Sequence, residues 1–247
     1  MRIRGLVIGV ILAWGLVGCA AAVPLPNPGQ LLYVTTFDAF NEDWQLYEGE
    51  LSAQVVGSGR NPVLQIAVDD VQAGAFTVMD QLFGDFDLMV EATQVAGPED
   101  IDAPGFGVLF RHQDNQNYYL FMISGDGYYQ VARRWRGADE VLSDWAPSPA
   151  IRQGQATNAI RVIGQGHIFR FYVNDVQLPL CLTIWNPAVP GQCQDEAGSW
   201  SAEAVVMELV DDAFDQGRIG LGARSFDKGG IAVVFDNLLV CGPHDDP

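Results

Sequence analysis

Positive charge is scarce in this chain. Lys and Arg number 13 against 31 Asp and Glu, a formal net charge of −18 over 247 residues. That excludes a nucleic-acid partner, because neutralising phosphates takes a basic face. It also excludes electrostatic docking on anionic lipid. Histidine is nearly as rare, and His112, His167 and His244 are not spaced as a metal site or a catalytic triad. Ser124, in Ser124-Gly125-Asp126-Gly127, lacks the flanking residues of a nucleophile elbow. The glycine-rich turns do not open helices, so no phosphate cradle is written here. Long helical periodicity and internal repeats are missing too. So much acid reads as solubility outside the cell, with a minority of the carboxylates suited to Ca²⁺, which takes hard oxygen ligands.

The N-terminus carries the most specific pattern. Met1-Arg2-Ile3-Arg4 is a short basic head, and the apolar run from Gly5 to Leu16 is too short to span a bilayer comfortably. Leu16-Val17-Gly18-Cys19 follows and resembles a bacterial lipobox, in which cleavage precedes a cysteine that is then lipidated. The expectation is a signal peptide over 1–18, lipid on Cys19, and a Pro- and Ala-rich extended tether over 19–30. The protein then sits in the cell envelope, extracytoplasmic and membrane-anchored.

The body is punctuated by turn residues every 8–12 residues or so, which points to a sandwich rather than a helical or α/β fold. From Gly105 to Trp135, three runs rich in aromatic and β-branched residues are separated by polar turns, as in an antiparallel meander. Gly125-Asp126-Gly127 and Asn174-Asp175 supply tight hairpins, the latter of type I′. Phe86, Leu88, Val90 and Ala92 alternate with polar residues, the period of a half-buried strand. One stretch is ambiguous: Ala202, Val205, Val206, Leu209 and Val210 fit a helix face, but the β-branched pair and the following turn favour a strand.

Several fragments together resemble the concanavalin A-like lectin/glucanase superfamily: Gly84-Asp85-Phe86-Asp87-Leu88, Gly105-Phe106-Gly107-Val108, Asn117-Tyr118-Tyr119, Phe171-Tyr172-Val173-Asn174, Gly217-Arg218-Ile219-Gly220-Leu221 and Phe235-Asp236-Asn237-Leu238. The 3-keto-disaccharide hydrolase-like, or family 16 glycosidase-like, domain is the most similar branch. The resemblance runs from about Tyr33 to Val240 and implies an all-β jelly-roll sandwich of two curved antiparallel sheets. The expected single domain is 31–241, with a Cys-bracketed insertion at about 179–210 and a tail over 242–247. Such a sandwich hosts lectins, hydrolases and inert modules alike, so function must come from the site.

Retaining glycosidases on this fold use a Glu-x-Asp-x-x-Glu run, which sets two carboxylates about 5 Å apart across the sugar. No such run occurs. Glu99-Asp100-Ile101-Asp102 reads as a solvated loop, and Asp85 and Asp87 as structural strand-entry carboxylates. The sequence therefore favours a non-catalytic module that binds a glycan or a protein partner, with hydrolysis of a sugar derivative as the alternative.

Alternation along the meander nominates the ligand face. Tyr119, Phe121 and Ile123 form the more apolar set, which leaves Arg111, Tyr118, Tyr128, Gln130 and Arg134 as the residues with polar tips for the open face. Aromatic faces with directed hydrogen bonds suit sugars, although the same aromatics also stabilise a sheet by cross-strand pairing. A slip of one residue exchanges the two faces. Asp38 and Asp236, near the first and last strands, are the candidate Ca²⁺ ligands, with loop capping as the plainer reading. With Cys19 lipidated, Cys181, Cys193 and Cys241 remain. A Cys181–Cys193 bond closes a short loop and contributes about 3 kcal/mol; pairing of Cys241 with either is the rival.

Overall fold

The computed structural model describes residues 25–38, 42–57, 62–100, 103–182 and 205–244. Cys19, the lipobox and Cys193 lie outside the described residues, as does most of the expected insertion. The strands, in chain order, are β1 (Leu31–Thr35), β2 (Leu51–Val56), β3 (Val63–Val68), β4 (Gly74–Phe83), β5 (Phe86–Ala96), β6 (Gly105–Asp114), β7 (Asn117–Ser124), β8 (Tyr128–Trp135), β9 (Ala138–Pro147), β10 (Asn158–Gln165), β11 (Ile168–Val173), β12 (Val176–Gln177), β13 (Leu209–Val210), β14 (Gly217–Arg224) and β15 (Ile231–Cys241). Among the described residues there is no helix. The described part of the ambiguous stretch, from Val205, is not helical: Val206 bridges to Leu180, and β13 pairs with β11. Its β-branched residues find cross-strand partners that outweigh the weak helical period.

Two antiparallel sheets form the sandwich. The nine-stranded sheet runs β12-β11-β10-β5-β15-β3-β2, with β1 added to β15 and β13 to β11; the six-stranded sheet runs β4-β14-β6-β7-β8-β9. The chain's first and last strands meet, as Leu31 to Thr35 pair with Leu238 to Cys241. β3 takes the other half of β15, from Ile231 to Phe235. The change of partner falls at Asp236 and Asn237, where the ladder to β5 also shifts and Asn237 has φ 51°. The Asn174-Asp175 hairpin has φ 49° and 66°, the two positive values that a type I′ turn demands.

The core lies between the sheets and is unusually aromatic. Phe110 packs on Tyr119 at 5.2 Å, Phe169 at 5.2 Å, and Phe86 and Phe171 at 6.0 Å. Each such ring removes from water enough apolar surface to contribute about 1.5–3 kcal/mol. Along β7, Tyr119, Phe121 and Ile123 point into this core, so Tyr118, Leu120 and Met122 are left for the outer face of the six-stranded sheet. Register and burial here follow directly from the alternation of residues in the sequence.

Candidate functional site

A groove of about 400 Å³ lies across the outer face of the six-stranded sheet, within the range of small-ligand sites. Its floor is shaped by small residues. On β14, Ile219, Leu221 and Ala223 face the core, leaving Gly220 and Gly222 outward; on β6, Phe106, Val108 and Phe110 face the core, leaving Gly107 and Leu109 outward. Gly222 sits opposite Gly107 in the ladder. Of these outward residues, Gly222 and Leu109 line the groove, and a Cβ on Gly222 would stand 3.2 Å from the Cβ of Phe76 on the groove wall.

The walls carry the chemistry. Tyr118, Gln130 and Arg134 all line the groove, together with Phe76, Asn115, Asp139 and Arg224. Ladder pairing sets Tyr118 opposite Arg134, and Arg134 opposite Asp139, which accepts from its guanidinium at 2.8 Å. Tyr118 stacks on His112 at 5.6 Å with an interplanar angle of 22°, and Phe76 closes on both rings at 5.9 and 5.8 Å. Burial pushes the Tyr118 phenol above its ordinary pKa; Arg134 beside it pulls the other way and Asp139 adds to the rise. Gln130 is 8% exposed and donates to Asp144 at 3.3 Å.

Two residues expected on the open face lie elsewhere. Arg111 is inside the sandwich, 1% exposed, with its guanidinium between the rings of Phe86 and Phe169 at 5.6 and 5.8 Å. The cause is a bulge: the β6–β7 ladder shifts between Phe110 and Asp114, and Arg111 itself has φ 52°. The inserted residue reverses the alternation, so Arg111 follows Phe110 inward and His112 takes the outward place. Arg111 donates to the Gly166 carbonyl at 3.1 Å and faces Asp85 at 3.6 Å. Burial lowers its pKa from the ordinary guanidinium value, and Asp85 opposes that. Tyr128 is 38% exposed at the β7–β8 hairpin, and does not line the groove. Asn115, Phe76 and Arg224 also line the groove, and alternation along the meander does not nominate them. The outward glycines of β6 and β14 were the available signal, since glycine at alternate positions leaves a face that wide neighbours can overhang.

The acidic residues singled out in the sequence are held by other groups. Asp87 takes Arg161 through two bonds of 2.8 Å, and Asp85 caps the Gly166 N–H at 2.9 Å. Glu99 accepts from Gln155, and Asp100 meets Lys228 at 3.4 Å on the surface. Asp38 accepts from Thr36 at 2.8 Å, and Asp236 from the Asn237 N–H at 2.7 Å. Burial pushes the Asp236 carboxyl above its usual range, and Glu91 and Asp38 push it the same way. Among the described residues, no group of three or more His, Cys, Asp or Glu is arranged to hold a metal ion. Cys181 is disulfide-bonded, and Cys241 is a free thiol whose pKa is raised by burial and then by Asp87.

No family model matches this chain, and no curated protein matches it in sequence. Solved structures do match. A carbohydrate-binding module, CBM66 from Bacillus subtilis, is 18% identical with a TM-score of 0.52, covering 81% of this chain and 95% of that one. A Bacillus subtilis protein of unknown function with a galectin-like fold is 11% identical with a TM-score of 0.57, covering 87% and 97%. The transglycosylase Crh5 in complex with NAG is 11% identical with a TM-score of 0.54, covering 90% and 89%. At such identities the likeness is one of fold. This chain is an all-β sandwich of the architecture shared by carbohydrate-binding modules, galectin-like proteins and a transglycosylase.

Proposed function

We propose that this protein is an extracytoplasmic lipoprotein, tethered through Cys19, whose lectin-like sandwich binds a glycan in the open-face groove without cleaving it. The observation that carries the reading is the convergence of Tyr118, Gln130 and Arg134 on one depression floored by glycine. An aromatic ring beside fixed donors is the arrangement that holds a pyranose face and its hydroxyls together. Proteins of the same fold whose names include carbohydrate binding or a bound NAG are in keeping with it. Within the concanavalin A-like superfamily, kinship with the 3-keto-disaccharide hydrolase-like branch is the corresponding proposal from the sequence fragments.

Binding is preferred to hydrolysis for a geometric reason. The carboxylates lining the groove are Asp139 and Glu140, each already engaged by an arginine: Arg134 on Asp139 at 2.8 Å, and Arg133 on Glu140 at 3.0 Å through its Nε. They are consecutive residues of β9, not two carboxylates facing each other across a sugar at about 5 Å. A glycan array together with chromogenic glycosides tests the reading. Binding without turnover is expected, and Tyr118→Ala should weaken binding about tenfold while leaving the melting temperature within a few degrees. Turnover of any glycoside would overturn the non-catalytic assignment, and no glycan retained by the wild type would overturn the binding reading.

The anchor makes a separate prediction. Cells fed a fatty-acid analogue should label the wild-type protein, and Cys19→Ala should lose the label and leave the membrane fraction. The physical basis is the roughly 0.8 kcal/mol that each buried methylene of an acyl chain contributes. Label retained on the variant would end the assignment.

A further inference from the structure

We infer that the glycan taken by the groove carries a carboxylate, as a uronic acid residue does, and that the acid is held by Arg224 together with the Arg134–Tyr118 wall. This inference rests on the glycan-binding reading and specifies its ligand class. It comes from a count of donors and acceptors along one row of the sheet. Ladder pairing sets Arg218 opposite His112 and Tyr118 opposite Arg134, and the His112–Tyr118 stack joins the two pairs. Of these four residues Tyr118 and Arg134 line the groove, and the Nε of Arg134 is buried with no hydrogen-bond partner. His112 is 4% exposed, and Asn115, which lines the groove, lies beside it. Asp139 accepts from Arg134 at 2.8 Å.

Arg224 adds a second cation from the opposite wall. It is exposed and lies over the Phe226 ring at 5.8 Å. No ion pair holds it among the described residues, whereas Arg111, Arg133, Arg134, Arg161 and Arg170 each have a carboxylate. Arg136, Arg152 and Arg218 likewise have no ion pair among the described residues, but of these four arginines Arg224 is the one that lines the groove. Arg134, Tyr118 and Arg224 all line this one groove. Neutral hydroxyls donate as well as accept and would leave this surplus of donors half used. A carboxylate only accepts, and its two oxygens match the guanidinium fork. The field of a strongly acidic protein repels a polyanion at long range, but that repulsion is screened within about 8 Å at physiological ionic strength. A short saccharide with one acidic unit at this point is therefore favoured over a long polyuronate.

The test compares uronic-acid oligosaccharides with the same molecules after reduction of the carboxyl to a primary alcohol, so that ring stereochemistry is held constant. Calorimetry on the full chain in detergent should show binding at least about tenfold tighter for an acidic member than for its reduced counterpart. Arg224→Gln should abolish that preference, so that the acidic member binds no more tightly than its reduced counterpart; its side chain is exposed, so the far-UV spectrum should not change. Equal binding of acidic and reduced sugars would overturn the inference and leave the glycan reading standing. Binding of neither would overturn both. A preference that survives Arg224→Gln would remove Arg224 from the site, and displacement by acetate as readily as by the free uronate would show an anion site with no sugar recognition; either result overturns the proposal.

Discussion

Gly107→Ala should leave little folded protein. The added methyl carbon would stand 2.1 Å from the carbonyl oxygen of Phe121 and 3.1 Å from the Cα of Met122. Both are backbone atoms of the adjacent strand β7, so no rotamer change relieves the clash. Relief requires β6 and β7 to part in the middle of the six-stranded sheet, between Val108 and Phe121 on the core side. Overpacking of this kind costs about 3 kcal/mol or more, a large fraction of the stability of an ordinary domain. Gly166→Ala is the useful contrast. Its φ is 56°, but nothing lies within 4 Å of the added carbon, so only the left-handed backbone penalty of about 1–2 kcal/mol applies. Denaturant unfolding should rank the two variants with Gly107→Ala far below Gly166→Ala. A Gly107→Ala protein as stable as wild type would mean that the β6–β7 approach is looser than described.

That contrast also indicates which parts of the architecture are legible in the residues alone. Alternation is a local signal, so the inward faces of β5 and β7 and the type I′ turn at Asn174-Asp175 could be read directly. Tyr118, Gln130 and Arg134 follow from the same rule, and all three line the groove. Arg111 breaks it, because a bulge inserts one residue and its signature is a backbone conformation, φ 52°, rather than a residue type. The pattern Phe110-Arg111-His112 gives no warning that two successive side chains, Phe110 and Arg111, both turn inward. Tyr128 fails for another reason: alternation assigns a face but not a distance along the strand, and the groove stops short of that hairpin. Arg224 and Phe76 come from strands far apart in sequence. Their approach depends on β14 lying between β4 and β6, a long-range pairing that no local period encodes.

Asp211→Ala should cost about 3 kcal/mol although the residue lies just beyond the two-residue strand β13. Its carboxylate accepts from three directions. The Tyr119 hydroxyl donates to it from the core, Arg133 reaches both oxygens at 2.9 and 2.7 Å, and the Ala213 N–H caps it at 3.0 Å. Its own N–H donates to the His167 carbonyl at 2.9 Å, in the β10–β11 turn of the nine-stranded sheet. One residue thus ties the nine-stranded sheet to β7 and β8 of the six-stranded one. Burial opposes the charge on Arg133, but the bonds from Glu140 and the field of Asp211 outweigh it and hold its pKa above the ordinary value. Removing Asp211 leaves Arg133 with Glu140 alone and strands the hydroxyl of Tyr119, a residue with no exposed surface. It also loosens Phe214, whose ring packs edge-on against Tyr119 at 5.2 Å and lies 6.0 Å from Trp135. Tyr119→Phe removes the donor and should cost less, about 1 kcal/mol. Because both changes break the same contact, the double variant should be less destabilised than the two singles added together, by about 0.5–1 kcal/mol. Strict additivity, or a loss under about 1 kcal/mol for Asp211→Ala alone, would mean that the two sheets are held without this contact. The consequence reaches the groove, because Tyr119 and Arg133 directly precede or follow Tyr118 and Arg134 in sequence and are paired opposite each other in the same ladder. Anchoring the inward pair fixes the outward pair, so Asp211→Ala should weaken the proposed glycan binding as well as stability, and Tyr119→Phe, which keeps the ring packed, should leave that binding nearly intact.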